Sequence, residues 1–195
     1  MDGWDSIAEK WADQWHGLRP WQVRERVEFA KRVENSLVLD LGCGYGRDVG
    51  FFNGLGLTYV GIDFSKGMLI LAGDKGVLVR ASVDAVPFRD ECFDALWCCS
   101  VMRYLDDEAA NRCMCEANRV LKPKGLFWLS LEHGSKPRTE VKHGASFMAQ
   151  LFDEDRIIKL AAATGFKILE TKKHRKWRRF LVAILEKNVA KSLST

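Results

Sequence analysis

Three glycines at every second position, just behind an acidic residue, give this sequence its clearest chemical signal. An apolar run over residues 37–41 contains Asp40 and is followed by Gly42, Gly44 and Gly46. The run predicts a short buried strand. Glycines at these positions allow a tight turn and let a ligand approach the backbone closely, because no Cβ stands in the way. A strand, such a turn and a helix are typical of a nucleotide-type binding site.

The spacing of the glycines indicates which ligand the turn would hold. A dinucleotide fingerprint has two residues between its second and third glycines, whereas only one separates Gly44 from Gly46, and Arg47 stands where the fingerprint needs glycine. A phosphate-binding P-loop would need Lys followed by Ser or Thr, and Arg47 and Asp48 follow instead. Asp40 would repel a pyrophosphate and suits a cation. S-adenosylmethionine, with an ammonium, a sulfonium and no phosphate, fits; the alternative is a turn that only reverses the chain.

Alternating strands and helices must position this turn. Strands are predicted at 37–41, 58–62, 77–80, 93–99 and 126–131, and helices at 4–16, from Pro20 onward, and at 47–55, 65–72, 106–121 and 153–164. Strands at 166–171 and 180–186 would form a last hairpin. The pattern predicts an α/β fold: a doubly wound, Rossmann-like sheet of seven mostly parallel strands with a C-terminal antiparallel hairpin and helices on both faces.

Polar or glycine residues follow five predicted strands, at the edge where such sheets bind ligands. Besides the glycine turn these are Asp63, the segments 82–85 and 100–104, and Glu132 with His133. The segment 132–152 is polar and is expected to be irregular.

The composition fits one domain. The chain has 195 residues, 47% hydrophobic and 29% charged, enough for a sizeable core. We expect a helical lid or cap over 1–33, a cofactor-binding core over 34–131, a substrate-side insertion over 132–152, and a helix with a hairpin over 153–186. No apolar run approaches the ~20 residues of a membrane span, and residues 1–5 lack a signal-peptide pattern, so the cytoplasm is the expected compartment. The six cysteines lack metal-ligand spacing, so no metal site is expected.

Positive charge is concentrated towards the C-terminal end. Residues 133–195 carry 14 Lys and Arg against 6 Asp and Glu, and the excess is greatest over 172–179. This basic run could meet a polyanion such as tRNA. It could equally be a solvated turn between two strands.

Over residues 36–131, and more weakly to 186, the chain resembles the class I S-adenosylmethionine-dependent methyltransferases. Residues 40–46 are similar to that family's first motif, 60–65 to its second and 81–88 to its third. The resemblance implies S-adenosyl-L-methionine as cofactor, S-adenosyl-L-homocysteine as product and methyl transfer as the reaction. It places the glycine turn against the methionine part of the cofactor, Asp63 on both ribose hydroxyls, and Phe64, Val83 and Asp84 around the adenine.

The cofactor-binding residues expected on this basis lie at four strand ends and on two helices. A carboxylate only accepts hydrogen bonds, so Asp63 could hold two hydroxyls at once; it could also cap the next helix, although Ser65 meets that need. Trp11 would belong to a lid that excludes water, or to ordinary core packing. The whole predicted set is Trp11, Asp40, Gly42, Cys43, Gly44, Gly46, Asp63, Phe64, Ser65, Met68, Ser82, Val83, Asp84, Ala85 and Ser100.

Two narrower resemblances concern the acceptor. Segments 93–97 and 119–125 resemble the type 11-like subgroup that includes quinone-biosynthesis methyltransferases, in which two histidines often follow the fourth strand, whereas this chain has Arg103 and Tyr104. A looser likeness, over 7–9, 19–21 and 165–169 with the basic run behind, is to wobble-uridine tRNA methyltransferases. It implies an RNA acceptor and allows a small activator protein as partner.

Candidates for acceptor chemistry are Arg103, Tyr104 and His133. Displacement from a sulfonium has a neutral leaving group, so orientation alone can supply ~7–11 kcal/mol. Arg103 could orient an anionic acceptor, and Tyr104 or His133 could receive a proton, although Tyr104 could equally serve packing and His133 could lie on the surface. The functions considered are a methyltransferase acting on a small molecule or RNA, a non-catalytic scaffold that binds S-adenosylmethionine, and a nucleotide-dependent oxidoreductase, which Arg47 argues against.

Overall fold

The computed structural model describes residues 2–18, 20–174 and 180–189. Its first part comprises α1 (Asp2–Trp15), α2 (Pro20–Arg32), β1 (Leu37–Leu41), α3 (Val49–Gly54), β2 (Thr58–Asp63), α4 (Lys66–Ala72), β3 (Val77–Arg80) and β4 (Phe93–Cys99). A 3-10 turn (Met102–Tyr104) precedes α5 (Asp107–Val120) and β5 (Leu121–Glu132). The remaining elements are β6 (Arg138–Lys142), β7 (Ala145–Ala149), α6 (Glu154–Ala163), β8 (Phe166–His174) and β9 (Phe180–Lys187). None of the described helices is long and apolar enough to cross a membrane.

Seven strands form one sheet in the order β3-β2-β1-β4-β5-β9-β8. Strands β1 to β5 are parallel, and β9 is antiparallel to both β5 and β8. The strand order reverses between β1 and β4, which is where doubly wound sheets bind ligands. The predicted fold, including its antiparallel C-terminal strands, is confirmed.

The core lies on both faces of this sheet, because alternate residues of each strand point to opposite sides. On one face, Leu39 and Leu96 pack with apolar residues of α5 and α6 such as Met114. On the other, Val38 and Trp97 pack with Phe29 of α2. Asp40 lies two residues after Val38 and so points to the Trp97 face. Helix α2, expected as part of a lid, packs into the core, whereas α1 packs on α4 and β7.

The segment 132–152 is not irregular as predicted. It contains the antiparallel hairpin β6–β7, a sheet separate from the main one. The turn residues His143 and Gly144 both have positive φ, 49° and 89°, which is the geometry that two-residue hairpin turns need. The hairpin is exposed at Thr139, Val141, Ser146 and Met148 and buried at Lys142 and Ala149. Because polar and apolar residues occur on both its exposed and its buried side, the sequence lacks the alternation that marks a half-exposed strand.

Strand β5 also differs from the prediction, because it begins at Leu121 rather than five residues later. Leu121 pairs with Phe93 and Leu126 with Ala95, and the register shifts between these pairs. The extra residues, which include Pro123, lie at this irregularity, where proline is tolerated within a sheet. Helix α5 ends at Val120, and β5 begins at the next residue.

Candidate active site

A cavity of about 600 Å³ lies at the carboxyl ends of β1, β2 and β4, with residues of α1 and α2 in its wall. Its volume is in the range of small-molecule sites. Most of the residues predicted from the sequence line it, namely Trp11, Asp40, Gly42, Cys43, Gly44, Asp63, Phe64, Met68, Ser82, Val83, Asp84, Ser100, Arg103 and Tyr104. Gly46, Ser65, Ala85 and His133 are not part of the lining.

The glycines of the turn have different surroundings. A Cβ on Gly42 would lie 2.3 Å from Cγ2 of Val101, so this glycine is needed for packing against the segment after β4. A Cβ on Gly44 would meet no protein atom within 4 Å, and Gly44 lines the cavity. A Cβ on Gly46 would contact Val49 and Ala72, which explains its place outside the lining. A ligand in the cavity can therefore approach the backbone of the turn most closely at Gly44.

Asp63 joins the end of β2 to this turn. One carboxylate oxygen, Oδ2, accepts a hydrogen bond from the backbone N–H of Gly44 at 2.8 Å, and Oδ1 accepts one from Ser65 at 2.9 Å. Burial raises the pKa of Asp63, and the backbone hydrogen bonds oppose that rise. Carboxylate oxygens have two lone pairs each, so Asp63 can accept hydrogen bonds from ligand hydroxyls as well.

The loop after β3 brings Ser82, Val83 and Asp84 to the cavity. Asp84 accepts a hydrogen bond from the Ser82 hydroxyl, and its Oδ2 accepts from Arg112 Nε and Nη2 at 3.1 and 2.9 Å. The Ser82 hydrogen bond, followed by those of Arg112, lowers the pKa of Asp84. Asp84 is thus an ionised carboxylate at the cavity wall. Ala85 instead pairs with Ser82 through an isolated backbone bridge.

The pKa values of two buried carboxylates beside the turn, Asp48 and Asp40, shift in opposite directions. Asp48 accepts hydrogen bonds from Arg26 Nε and Nη2 at 2.8 and 2.7 Å. Burial would raise the pKa of Asp48, but the charges of Arg26 and Arg47 outweigh it and lower that pKa. Burial and the charge of Asp48 raise the pKa of Asp40 to about 8, and Tyr59 donates a hydrogen bond to it. The raised pKa favours the protonated form of Asp40, and a cation beside it would favour the ionised form.

Both ends of α1 are fastened beside the cavity. Asp5 accepts hydrogen bonds from the Ser65 hydroxyl at 2.5 Å and the Gly67 N–H at 2.9 Å. At the other end, the Tyr45 hydroxyl donates to the Trp15 carbonyl oxygen at 2.5 Å. Ser65 also caps α4 by accepting from the Met68 N–H. Its position outside the lining reflects this double structural role.

Arg103 lines the cavity, but its charge is already paired. It is 3% exposed, and Nη2 lies 2.5 Å from both Glu132 Oε2 and Glu140 Oε1. Glu140 lies on β6, and Glu132 ends β5. An anionic acceptor would therefore compete with two protein carboxylates for this guanidinium.

The structure does not bring His133 together with Arg103 and Tyr104. Its Nε2 lies 3.5 Å from Glu154 Oε2 at the start of α6, and its backbone pairs with Phe152. Ser100, by contrast, lines the cavity with a φ of +63°, a conformation that is uncommon for a residue other than glycine and recurs at functional sites.

Several lining residues were missed as site residues by sequence reasoning. Lys142 was hidden in the segment expected to be irregular, and the turn at Gly144 was the signal that could have revealed its hairpin. Arg47 was considered only for the glycine spacing. Others come from distant elements, and no spacing rule connects them to the turn; they are Trp21, Gln22, Cys99 and Phe180.

Comparisons with known proteins agree with this geometry. Residues 39–129 match the family profile described as a methyltransferase domain. A provisionally named methyltransferase from Encephalitozoon cuniculi is 30% identical over 191 residues, 87% of each chain. The chain spans less than half of several longer relatives; a tRNA (carboxymethyluridine(34)-5-O)-methyltransferase from Arabidopsis thaliana is 32% identical over 99 residues, 49% of this chain and 24% of that protein.

A solved structure gives the same fold. The 1,6-didemethyltoxoflavin-N1-methyltransferase of Burkholderia thailandensis, with 1,6-didemethyltoxoflavin and S-adenosylhomocysteine bound, superposes with a TM-score of 0.75 at 20% identity, covering 94% of this chain and 85% of that one.

A doubly wound sheet with a glycine turn after β1 and an acid closing β2 defines a nucleoside-binding α/β protein. This chain belongs to the class I S-adenosylmethionine-dependent methyltransferases. It is an enzyme that uses S-adenosylmethionine, and the expected cofactor and reaction are confirmed. The oxidoreductase and the non-catalytic scaffold are set aside.

Proposed function

We propose that the cavity binds S-adenosylmethionine along the ends of β1 and β2 and the loop after β3, and a small planar methyl acceptor against α1 and α2. When bound, S-adenosylmethionine supplies an electrophilic methyl group on a sulfonium. The chain's own residues bind, orient and shield the two reactants.

Three observations support the cofactor half. Gly44 exposes backbone to the cavity with no atom within 4 Å of a Cβ position. Asp63 presents oxygens that only accept hydrogen bonds beside that same glycine, which suits the paired hydroxyls of a ribose. Asp40 can ionise beside a cation, which suits the ammonium of the methionine part.

The adenine would lie against the apolar side chains of Phe64, Met68 and Val83, which all line the cavity. Asp84 adds an ionised acceptor at that wall. A purine amino group donates hydrogen bonds, so a carboxylate at this position favours adenine over a base that offers only acceptors.

The aromatic wall formed by Trp11, Trp15, Trp21 and Phe180 carries the proposal for the acceptor. The rings of Trp11 and Trp15 are 5.6 Å apart, and those of Trp21 and Phe180 are 5.2 Å apart at 35°. Large flat rings with a few polar neighbours are the usual lining for a small planar ligand.

The described part of the basic run gives little support for RNA. Lys172 pairs with Glu28, Lys173 pairs with Glu154, and His174 Nε2 lies 2.7 Å from Glu25. A phosphate would have to displace these carboxylates. Residues 175–179 lie outside the described residues. A tRNA acceptor is the second candidate, supported by the relative from Arabidopsis thaliana.

The experiment offers two acceptor pools to the enzyme with methyl-labelled S-adenosylmethionine: a low-mass cell extract and total RNA. We expect label in the low-mass fraction, a loss of that label in Trp21→Ala with S-adenosylhomocysteine binding retained, and no change in Lys173→Ala. Label in RNA that disappears in Lys173→Ala would contradict the small-molecule acceptor.

A further inference from the structure

Tyr104 and Lys142 meet inside the cavity from two separate segments. Tyr104 ends the 3-10 turn after β4, and Lys142 ends β6. The Lys142 Nζ donates a hydrogen bond to the Tyr104 hydroxyl oxygen, and both side chains line the cavity. An ammonium that donates to a phenol oxygen favours the ionised form of that phenol.

Lys142 is held in place by aromatic rings. It is 9% exposed, and its Nζ lies 4.4 Å from the ring centre of Trp11, 4.9 Å from that of Tyr104 and 5.9 Å from that of Trp4. Cation–π contacts of this kind stabilise the charged form of an amine. The cage therefore keeps the ammonium beside the phenol oxygen.

Positively charged side chains cluster around this contact. Arg103 and Arg138 each pair with Glu132 and Glu140, and Lys142 pairs with Glu140. Burial would raise the pKa of Glu140, but the charges of Arg103 and Lys142 lower it to about 2. The hydrogen bond from Lys142 therefore brings an ammonium of this cluster to the phenol oxygen.

A second cation and two aromatic rings also contact Tyr104. The Arg103 guanidinium carbon lies 5.1 Å from its ring centre. From α1 the ring of Trp4 lies 4.9 Å away, and from β7 that of Phe147 lies 5.9 Å away. Lys142 and Arg103 thus bring positive charge to the phenol from β6 and from the neighbouring residue of the 3-10 turn.

Tyr104 is also close to the cofactor turn. Val101, three residues earlier, occupies the space where a Gly42 side chain would lie. The segment carrying Tyr104 therefore packs directly on the turn that marks the methionine part of the proposed cofactor site.

We propose that Tyr104 takes the proton from the methyl acceptor and that Lys142 is the positioning residue that holds its oxygen as a phenolate. The O–H or N–H bond of the acceptor breaks and its proton passes to the Tyr104 oxygen. The electron pair left on the acceptor forms the bond to the methyl carbon, and the sulfur–methyl bond breaks with its electrons remaining on sulfur. The phenol later returns the proton to solvent.

This inference rests on the proposed function and narrows its acceptor class. An acceptor that loses a proton carries a hydroxyl or an N–H group, such as a phenol or a ring nitrogen. A carboxylate acceptor would need no base, and Tyr104 would then have no part in proton transfer.

Ultraviolet titration of tyrosinate absorbance in the protein alone tests the phenolate. The chain has three tyrosines, and burial raises the pKa of Tyr45 and of Tyr59. We expect one tyrosine to ionise below the ordinary value of about 10. This step should vanish in Tyr104→Phe, move up by about 1–3 pH units in Lys142→Met, and persist in Lys142→Arg. Three tyrosines titrating together at or above the ordinary value, or an early step that survives in Tyr104→Phe, would overturn the proposal.

Turnover provides the second arm once any acceptor is in hand. Tyr104→Phe should lower kcat by about 10²–10⁴-fold while calorimetry shows unchanged S-adenosylhomocysteine binding. Unchanged kcat in Tyr104→Phe would overturn the role of Tyr104. Loss of S-adenosylhomocysteine binding by the unmodified enzyme would instead refute the proposed cofactor site, so the two failures are distinguishable. If Lys142→Met does not fold, Lys142→Arg and Tyr104→Phe still decide the titration.

Discussion

The Asp63 carboxylate and the Gly44 backbone N–H are joined by a hydrogen bond of 2.8 Å. It connects the acid that closes β2 to the one glycine of the turn whose missing side chain opens onto the cavity. The nucleoside end and the methionine end of the proposed cofactor site are therefore one hydrogen-bonded unit, and a change at either residue should affect cofactor binding.

Gly44→Ala and Gly42→Ala should separate binding from stability. Gly44→Ala adds a methyl group that meets no protein atom within 4 Å, so we expect a loss of about 1–2 kcal/mol from its left-handed backbone. Its S-adenosylhomocysteine affinity should fall at least about tenfold, because the methyl group enters ligand space.

Gly42→Ala should unfold more easily than Gly44→Ala, because its Cβ would also lie 2.3 Å from Val101. Overpacking of this kind adds about 1–3 kcal/mol to the loss. Urea unfolding and calorimetry on both variants make the comparison. Equal stabilities of the two variants, or unimpaired S-adenosylhomocysteine binding by Gly44→Ala, would contradict this orientation of the turn.

Cofactor binding should release a proton from Asp40. Burial and Asp48 raise the pKa of Asp40 to about 8 in the free protein, and the ligand's ammonium would favour its ionised form. The free protein therefore holds a proton that the complex loses, so affinity should rise with pH below about 8, by up to about tenfold per pH unit.

Calorimetry of S-adenosylhomocysteine binding in buffers of different ionisation enthalpy measures that proton. The release should be absent in Asp40→Asn. Affinity that is independent of pH in the unmodified enzyme, or a proton taken up on binding, would argue against Asp40 as the partner of the ammonium.

Asp5→Ala should speed the release of bound S-adenosylhomocysteine. The variant removes two hydrogen bonds that tie α1 to the start of α4, so we expect a dissociation rate about three- to tenfold faster. Asp13→Ala, at an exposed position of the same helix, is the matched control. Stopped-flow tryptophan fluorescence gives both rates, and equal rates in the two variants would remove α1 from the binding step.

The hydrogen bonds that Asp5 accepts from Ser65 and Gly67 should also weaken in acid. The hydrogen bonds from Ser65 and Gly67 lower the pKa of Asp5. The contribution of Asp5 is therefore complete above its unfolded-state pKa and is lost as the pH falls through its lower folded-state pKa.

Arg26→Met should destabilise the protein strongly. Arg26 is 1% exposed and gives two hydrogen bonds to Asp48, so its removal leaves a buried carboxylate with a weaker partner, at a cost of about 3–5 kcal/mol. Arg24→Met, at an exposed position of α2, should change stability by less than about 0.5 kcal/mol. Adding Asp48→Asn to Arg26→Met should restore part of the loss in urea unfolding, and a larger loss in the double variant would contradict the pairing.

Most residues of the proposed cofactor half could be placed at the cavity from the sequence, because their signals are local. Glycine spacing, the acid at the end of β2 and the Ser65 cap each depend on neighbours within a few residues. The acceptor half depends on contacts between distant elements. Nothing near Arg103 indicates that Glu132 and Glu140 neutralise it, and nothing near Lys142 indicates that it meets Tyr104.

Protonation states were equally hidden. The sequence gives no sign that the pKa of Asp40 is raised, because the cause is its burial beside Asp48. The hairpin β6–β7 was missed because its outward face is partly polar, which conceals the alternation that marks a strand.

The most direct test of the account is calorimetric titration of S-adenosylhomocysteine into the unmodified enzyme and Asp63→Ala, with folding of both checked by thermal unfolding. We predict one ligand per chain for the unmodified enzyme. In folded Asp63→Ala we predict affinity lower by at least roughly 10- to 150-fold, the equivalent of losing one of the two charged hydrogen bonds to the ribose hydroxyls. Equal affinity in the two proteins, or no binding to the unmodified enzyme at millimolar ligand, would contradict it.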